Sequence, residues 1–261
     1  MIGRVSLIFG ASVVFSVAAA EMQPAAAPRI AIIIDDLGYQ LEAGRRTINL
    51  PGPVACAILP ATPRGRKLAE TAFANGKEVL LHLPLESISA NGHAEPGGIL
   101  LDMSRAQLAQ TFSESLESVP HAIGVNSHRG SLLTRHPGHM RWLMEEIVKR
   151  DRLIFIDSYT THESIALQLA GQTGVPAAKR DVFLDSDRLP ETVEREFRRL
   201  KELARKNGAA VGIGHPYPST LAFLEREIPR LLDQGIELVS ISELVLFEHE
   251  AMVGSLSEAT R

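Results

Sequence analysis

The chain has 261 residues, 45% of them hydrophobic, and 27 Lys and Arg against 31 Asp and Glu give a net charge of −4. That length supports one substantial core or two small ones, the unbroken alternation of strand-like and helical runs favours one domain, and with no basic block anywhere the charge pattern argues against a nucleic-acid partner. The only cysteine, Cys56, leaves no intramolecular disulfide and no cysteine-based zinc site; in the apolar run 54–59 it reads as a small buried hydrophobe.

Residues 1–20 form a separate object. Arg4 precedes a short apolar run, and Ala18-Ala19-Ala20 satisfies the small-x-small cleavage pattern, so the segment reads as a secretory signal peptide. An uncleaved N-terminal anchor is the alternative, but the run is shorter than the roughly 20 residues a spanning helix needs. No cysteine stands at the cleavage site to take a lipid. The expectation is a protein secreted across an inner membrane, periplasmic, with no stable membrane anchor after cleavage. Residues 21–28 are expected to be a disordered Ala/Pro tether, 29–247 the folded domain and 248–261 a C-terminal tail.

The first strand, 29–34, is an unbroken apolar run rich in isoleucine, the pattern of a strand covered on both faces in a parallel sheet. Asp35 and Asp36 end it, and Gly38 releases the chain. A helix over 40–49 comes next, then a second buried strand over 54–59 and a helix over 64–75 with Leu68, Ala72 and Phe73 turned inward and Gly76 as its C-cap. The third strand is expected to end near His82, because Pro84 cannot continue a central ladder. Residues 87–100 read as a loop long enough to wall a site. Ser104 is a plausible N-cap for a helix to about Ser118, and a short fourth strand covers 121–125, with Asn126, Ser127, His128 and Arg129 after it. A helix over 138–149 carries a core stripe of Met140, Leu143, Met144 and Ile147. A fifth strand over 153–156 closes with Asp157 and Ser158. After a helix near 164–170, residues 177–184 are one extended segment holding Lys179, Arg180 and Asp181 and ending at Asp185. A charged amphipathic helix over 191–207 is assigned to an outer face. The run 209–214 leads to His215, and a helix over 219–233 and a strand over 237–241 complete the alternation of strands and helices.

The residues at the ends of the apolar runs form a pattern: Asp35 and Asp36, His82, His128, Asp157, Asp185 and His215. Parallel strands closing around an axis would bring all of these to one rim, the end at which such folds bind ligands. Three His and several Asp suit a borderline divalent ion such as zinc. A carboxylate and neutral imidazoles can hold it with a position open for water, whose pKa falls to about 7. A second carboxylate could take the proton of that water, and a His across the site could protonate a leaving group, which amounts to metal-assisted hydrolysis.

At these same residues the sequence resembles the divergent polysaccharide deacetylase family, a remote branch of the polysaccharide deacetylases. The carriers are Ile34-Asp35-Asp36-Leu37-Gly38, Leu81-His82-Leu83-Pro84-Leu85-Glu86, Gly124 to Ser131, Phe155-Ile156-Asp157-Ser158, Arg180 to Asp185 and Gly214-His215-Pro216. The resemblance implies an α/β fold, a distorted seven-stranded (β/α) barrel. It also implies a general base at Asp35, a metal ligand at Asp36 and a general acid at His215. The parent superfamily's H-x-x-x-H motif is altered here to His82 and Glu86. Either Glu86 is an oxygen ligand, or His128 supplies the missing imidazole, or the metal is gone; an Asp36-His82-His128 set best keeps zinc's preferred ligands, with Glu86 behind it. Asn126, Arg129, Asp157, Ser158, Arg180 and Asp185 are further candidates for supporting the ligands or binding substrate. The implied reaction removes an N- or O-acetyl group from an envelope carbohydrate. The competing reading is a catalytically inactive glycan-binding or scaffold protein that keeps the barrel. The sequence carries no signal for oligomeric state.

Overall fold

The computed structural model of this chain describes residues 27–90 and 95–247; the signal segment, most of the tether, His93 and the tail from 248, His249 included, lie outside the described residues. Among the described residues nine strands alternate with seven helices, before a further helical stretch that begins at 241. They are β1 (Arg29–Leu37), α1 (Leu41–Ile48), β2 (Ala55–Ile58), α2 (Gly65–Ala74), β3 (Val79–Leu85), α3 (Arg105–Ser118), β4 (Ala122–Arg129), α4 (Pro137–Val148) and β5 (Ile154–Asp157). The remainder are α5 (Ala166–Thr173), β6 (Ala177–Lys179), β7 (Val182–Phe183), α6 (Pro190–Asn207), β8 (Ala209–Gly214), α7 (Pro218–Glu227) and β9 (Glu237–Leu238).

The strands pair in parallel in the order β6-β5-β4-β3-β2-β1-β8-β7, with β9 added beside the start of β1. The edge strands β6 and β7 are consecutive in sequence, so the expected single extended segment 177–184 is in fact two strands on opposite edges. Only Arg180 and Asp181 join them: the Arg180 N–H donates to Asp157 O on the β5 side and the Asp181 N–H to Val211 O on the β8 side. The result is an open, curled α/β barrel with eight strands on its main path, one more than expected, its gap bridged by that two-residue link.

Period-two alternation divides the core. Ile30, Ile32 and Ile34 pack outward under the helices with Leu81, Phe155 and Phe197. Ala31, Ile33, Leu80, Ile154, Ile156, Val211 and Ile213 face inward and are plugged from below by Val239, Ile241, Leu244 and Val245. Each buried isoleucine of β1 contributes about 1.5–3 kcal/mol by leaving water. The plug is fixed by Glu78, whose Oε2 accepts the N–H groups of Ile241 and Ser242 at 2.9 and 3.2 Å, at the start of a helical stretch over 241–247. Among the described residues no helix is long and apolar enough to cross a membrane.

Several local expectations are corrected. β3 runs through Pro84 because β2 has already ended opposite Leu81. The ring nitrogen thus faces a side with no ladder to break, where the Pro84 carbonyl accepts Ile99 N–H instead. β4 extends four residues beyond Val125, paired along the lengthened β3. Phe73 is 57% exposed and stacks on the His121 ring at 3.9 Å rather than entering the core. The helix expected over 219–233 stops at Glu227, where Pro229 interrupts its ladder and short 3-10 turns come after it, and the strand expected over 237–241 keeps only Glu237–Leu238 before the chain turns helical at 241. Helix α6 buries a stripe of Val193, Phe197 and Leu200 as well as presenting a charged face. The remaining helices lie within about three residues of expectation, and α3 opens with a full capping box of Ser104 and Gln107.

Candidate active site

The inward parity of each strand, carried to its C-terminal end, builds the site. Asp35 continues the face of Ala31 and Ile33, His82 that of Leu80, Asn126 and His128 that of Gly124, and His215 that of Val211 and Ile213. Asp36 has the opposite parity and reaches the site by a different device. Between Ile34 and Leu37 the β1–β2 register slips, and Asp36 adopts φ 58°, a bulge that turns two consecutive carboxylates toward one centre. Gly38 is then obligatory: its φ is 132°, and a Cβ there would come within 2.1 Å of Thr62 Oγ1.

Three atoms meet at this centre. His128 Nδ1 lies 2.9 Å from His82 Nε2 and 3.0 Å from Asp36 Oδ1, and His82 Nε2 lies 3.3 Å from the same oxygen. The surrounding bonds set their protonation. Asn126 donates through Nδ2 to Asp35 Oδ1 at 2.7 Å, so its Oδ1 is left to accept from His82 Nδ1–H at 3.0 Å. His128 points Nε2 at Glu95 Oε2, 3.1 Å away, and must donate there. Both rings therefore turn lone pairs toward a carboxylate oxygen that is buried without a hydrogen-bond partner. Three converging acceptors call for positive charge. For ligand bonds of 2.0–2.1 Å the edges of a tetrahedral zinc site are about 3.3 Å long, so spacings of 2.9–3.3 Å fit a face of such a site. The residues present fit a divalent ion.

Without an ion, protons compete for the same lone pairs. Burial opposes ionisation of Asp36, but His128 and His82 outweigh it and hold the carboxyl well below the usual carboxylate range. Burial likewise opposes charge on His82, yet Asp35 and Asp36 raise its affinity for a proton. Asp35, almost fully enclosed, is pushed up by burial, with His82 and His215 pulling against it. Across the pocket, His215 Nδ1–H donates to Asp185 Oδ1 at 2.9 Å. Asp185 Oδ2 accepts the His215 backbone N–H and Thr220 Oγ1–H, each at 2.7 Å. Burial disfavours the imidazolium of His215, but the Asp185 hydrogen bond and the neighbouring carboxylates raise its pKa. Its Nε2 faces the centre, 3.7 Å from Asp36 Oδ2. A pocket of about 360 Å³ opens above these groups, walled also by Ser127, Arg129, Ser158, Thr160, Arg180 and Phe183.

The structure thus gathers Asp35, Asp36, His82, Asn126, His128, Asp185 and His215, and places Arg129, Ser158 and Arg180 on the pocket wall. Two candidates lie elsewhere. Glu86 turns its Oε2 to the Leu101 N–H at 2.8 Å and pins the loop, because β3 ends at Leu85 and the inward alternation does not carry on to it. Asp157 has the outward parity of Phe155; its oxygens accept Tyr159 N–H at 2.8 Å and Ser164 Oγ–H at 2.6 Å. Arg180 and Asp181 do not pair with each other: Asp181 Oδ2 accepts Val211 N–H. Reading the sequence missed Glu95 and Thr220. Glu95 sits in the loop expected to wall the site, but no periodicity marks which acid in a loop reaches a distant His.

Known proteins resemble this chain in sequence and in fold. The profile described as "divergent polysaccharide deacetylase" matches residues 32–245. An uncharacterized protein of Haemophilus influenzae is 36% identical over 232 residues, 89% of this chain and 82% of its own length. The uncharacterized Escherichia coli protein YibQ is 34% identical over 231 residues, 88% and 72%. Among solved structures, an uncharacterized protein from Agrobacterium tumefaciens superposes with a TM-score of 0.80 at 24% identity, covering 85% of this chain and 91% of that one. The peptidoglycan deacetylase PdaC from Bacillus subtilis shares the fold more loosely, with a TM-score of 0.52 at 15% identity over 89% and 97%.

Proposed function

Because this chain belongs to the divergent polysaccharide deacetylase family, we propose that it is a metal-dependent hydrolase removing acetyl groups, N- or O-linked, from a carbohydrate of the cell envelope. One observation carries the reading: the three converging acceptors of Asp36, His82 and His128 lie between a buried carboxylate on one side and a carboxylate-held imidazole on the other. A divalent ion, zinc by ligand type, would supply Lewis-acid polarisation of the acyl carbonyl and acidify the attacking water.

The chain's own groups do the rest. Asn126 holds Asp35 with one oxygen free to take the proton of the attacking water. Burial raises the basicity of that carboxylate, which favours the transfer. Asp185 accepts the His215 Nδ1–H and favours the imidazolium, so the Nε2–H is the bond that breaks as the proton passes to the departing amine or alcohol. Water and the acyl sugar thereby give acetate and the free sugar group. The N-terminal segment supports a periplasmic setting.

The test is acetate release from acetylated envelope glycans by zinc-restored protein, with Asp35→Asn and His215→Ala beside it. The proposal expects release that both variants reduce by about 10²-fold or more. Glycan binding without release in the wild type would replace the hydrolase with the inactive glycan-binding reading.

A further inference from the structure

Arg180 is the unusual residue of the pocket wall. It forms half of the two-residue link between the barrel's edge strands, and it is half-buried. Its Nε and Nη2 donate to the carbonyls of Ser158 and Tyr159 at 2.7 and 2.9 Å, and its plane lies over the Phe183 ring at 5.2 Å. Those bonds use one edge of the guanidinium and hold it rigid. Its other edge has no acidic partner within ion-pair distance among the described residues. The nearby acids are otherwise engaged: Asp157 on Tyr159 and Ser164, Asp181 on Val211 and Asp35 on Asn126. A second observation adjoins it. Ser158, on the same wall, is buried with an Oγ that has no hydrogen-bond partner. A desolvated, immobilised cation beside an unanswered hydroxyl is costly unless a ligand completes both. Burial also lowers the Arg180 pKa, the expected mark of a charge held out of water.

We propose that Arg180, with Ser158, binds a carboxylate on the sugar that bears the acyl group, so the substrate is an acidic acetylated sugar rather than a neutral one. This rests on the hydrolase reading for its reaction but not for its binding. The planar edge left free on Arg180 is the shape that takes a carboxylate through two parallel N–H bonds. The Asp35 and Asp36 charges would repel such a ligand in the bare protein. An ion at Asp36, His82 and His128 carries two positive charges, which balance Asp35 and Asp36; with Glu95 offset by Arg129 and Asp185 by the His215 imidazolium, Arg180 is left as the pocket's excess charge.

The experiment uses two acetylated sugars that differ only in a free carboxylate or its methyl ester, presented to zinc-restored full-length protein. Acetate release gives kcat/KM for each, and calorimetry on the deacetylated pair gives binding without turnover. The expected result is a preference for the acid of about tenfold or more, falling to near parity in Arg180→Gln and reduced in Ser158→Ala, which breaks no existing bond. Should Arg180→Gln fail to fold, Ser158→Ala still reports. Acetate released equally from acid and ester, with equal binding, overturns the inference and leaves the hydrolase reading standing. Tighter binding of the acid with no acetate from either sugar supports the inference and overturns that reading.

Discussion

Replacing Glu95 with Gln isolates the part of the site that sequence reasoning missed. Glu95 Oε2 accepts His128 Nε2–H at 3.1 Å and its Oε1 pairs with Arg129 Nε at 2.9 Å. The amide can keep its one acceptor oxygen on His128 but turns its NH2 against the Arg129 Nε–H, so it removes that ion pair together with the charge that makes Nδ1 a better donor of its lone pair. Losing such a carboxylate behind a ligating imidazole costs 10- to 100-fold in metal affinity. The Glu95 side chain is 32% exposed and Arg129 already offsets its charge, which places the expected loss at the low end, about tenfold or about 1.4 kcal/mol. Two variants bracket it: His128→Ala, which removes a ligand, should lose more than about a hundredfold. Glu86→Gln should change affinity by less than about threefold, since Glu86 holds only the Leu101 N–H. Zinc affinity is read by competition with a chromophoric chelator at pH 7.5, with circular dichroism to confirm folding. A Glu86→Gln loss equal to or larger than that of Glu95→Gln, or His128→Ala binding zinc like the wild type, would refute the assignment of the ligand set and its support.

Three further outcomes are expected. Asp185→Asn places an amide N–H against the His215 backbone N–H or the Nδ1–H that the carboxylate now accepts, and should lower turnover about 10²-fold with acyl-sugar binding retained. Loss of binding in equal measure would reassign Asp185 to substrate recognition. Glu146 is enclosed; burial favours its neutral form, but Lys149 and Arg150 outweigh it and depress its pKa. Its contribution is therefore present above the ordinary glutamate range and lost as pH falls through the depressed value. Glu146→Gln should cost about 1 kcal/mol at pH 7, and the gap in melting temperature should shrink as pH falls below the ordinary glutamate range; a gap that stays constant or widens throughout the acid titration contradicts this. Cys56 is 0% exposed and its thiol is pushed up to about 12 by burial, with Lys77 pulling weakly the other way. It should resist thiol reagents at pH 8 until the chain is unfolded in guanidinium.

The rim chemistry was legible because it is local. An apolar run that ends in Asp or His says that a strand ends there, and alternation along the run says which face the side chain takes. Ala31-Ile33-Asp35, Leu80-His82 and Val211-Ile213-His215 keep that alternation to the last residue, so Asp35, His82 and His215 meet as their positions suggest. Asp157 shows the same rule in reverse: position alone put it at the rim, whereas its parity with Phe155 turns it to the helices.

Ligand chemistry pointed to His128 beside Asp36 and His82, but the other choices between non-local partners needed the tertiary structure. Glu86 is next to the motif in sequence but past the end of its strand, and Glu95, from the far side of a loop, reaches His128 instead. Pro84 could remain in β3 only because β2 stops short. The segment 177–184 could be placed on two opposite edges only by a barrel that curls until they approach. By itself the sequence determined the alternating strands and helices, the inward residues and the chemical types at the rim, because these arise from backbone periodicity and the hydrophobic effect. Which acids and donors touch which imidazoles was decided by the curl of the sheet, its register and the bulge at Asp36. Those depend on contacts between residues far apart in the chain, and local pattern does not encode them.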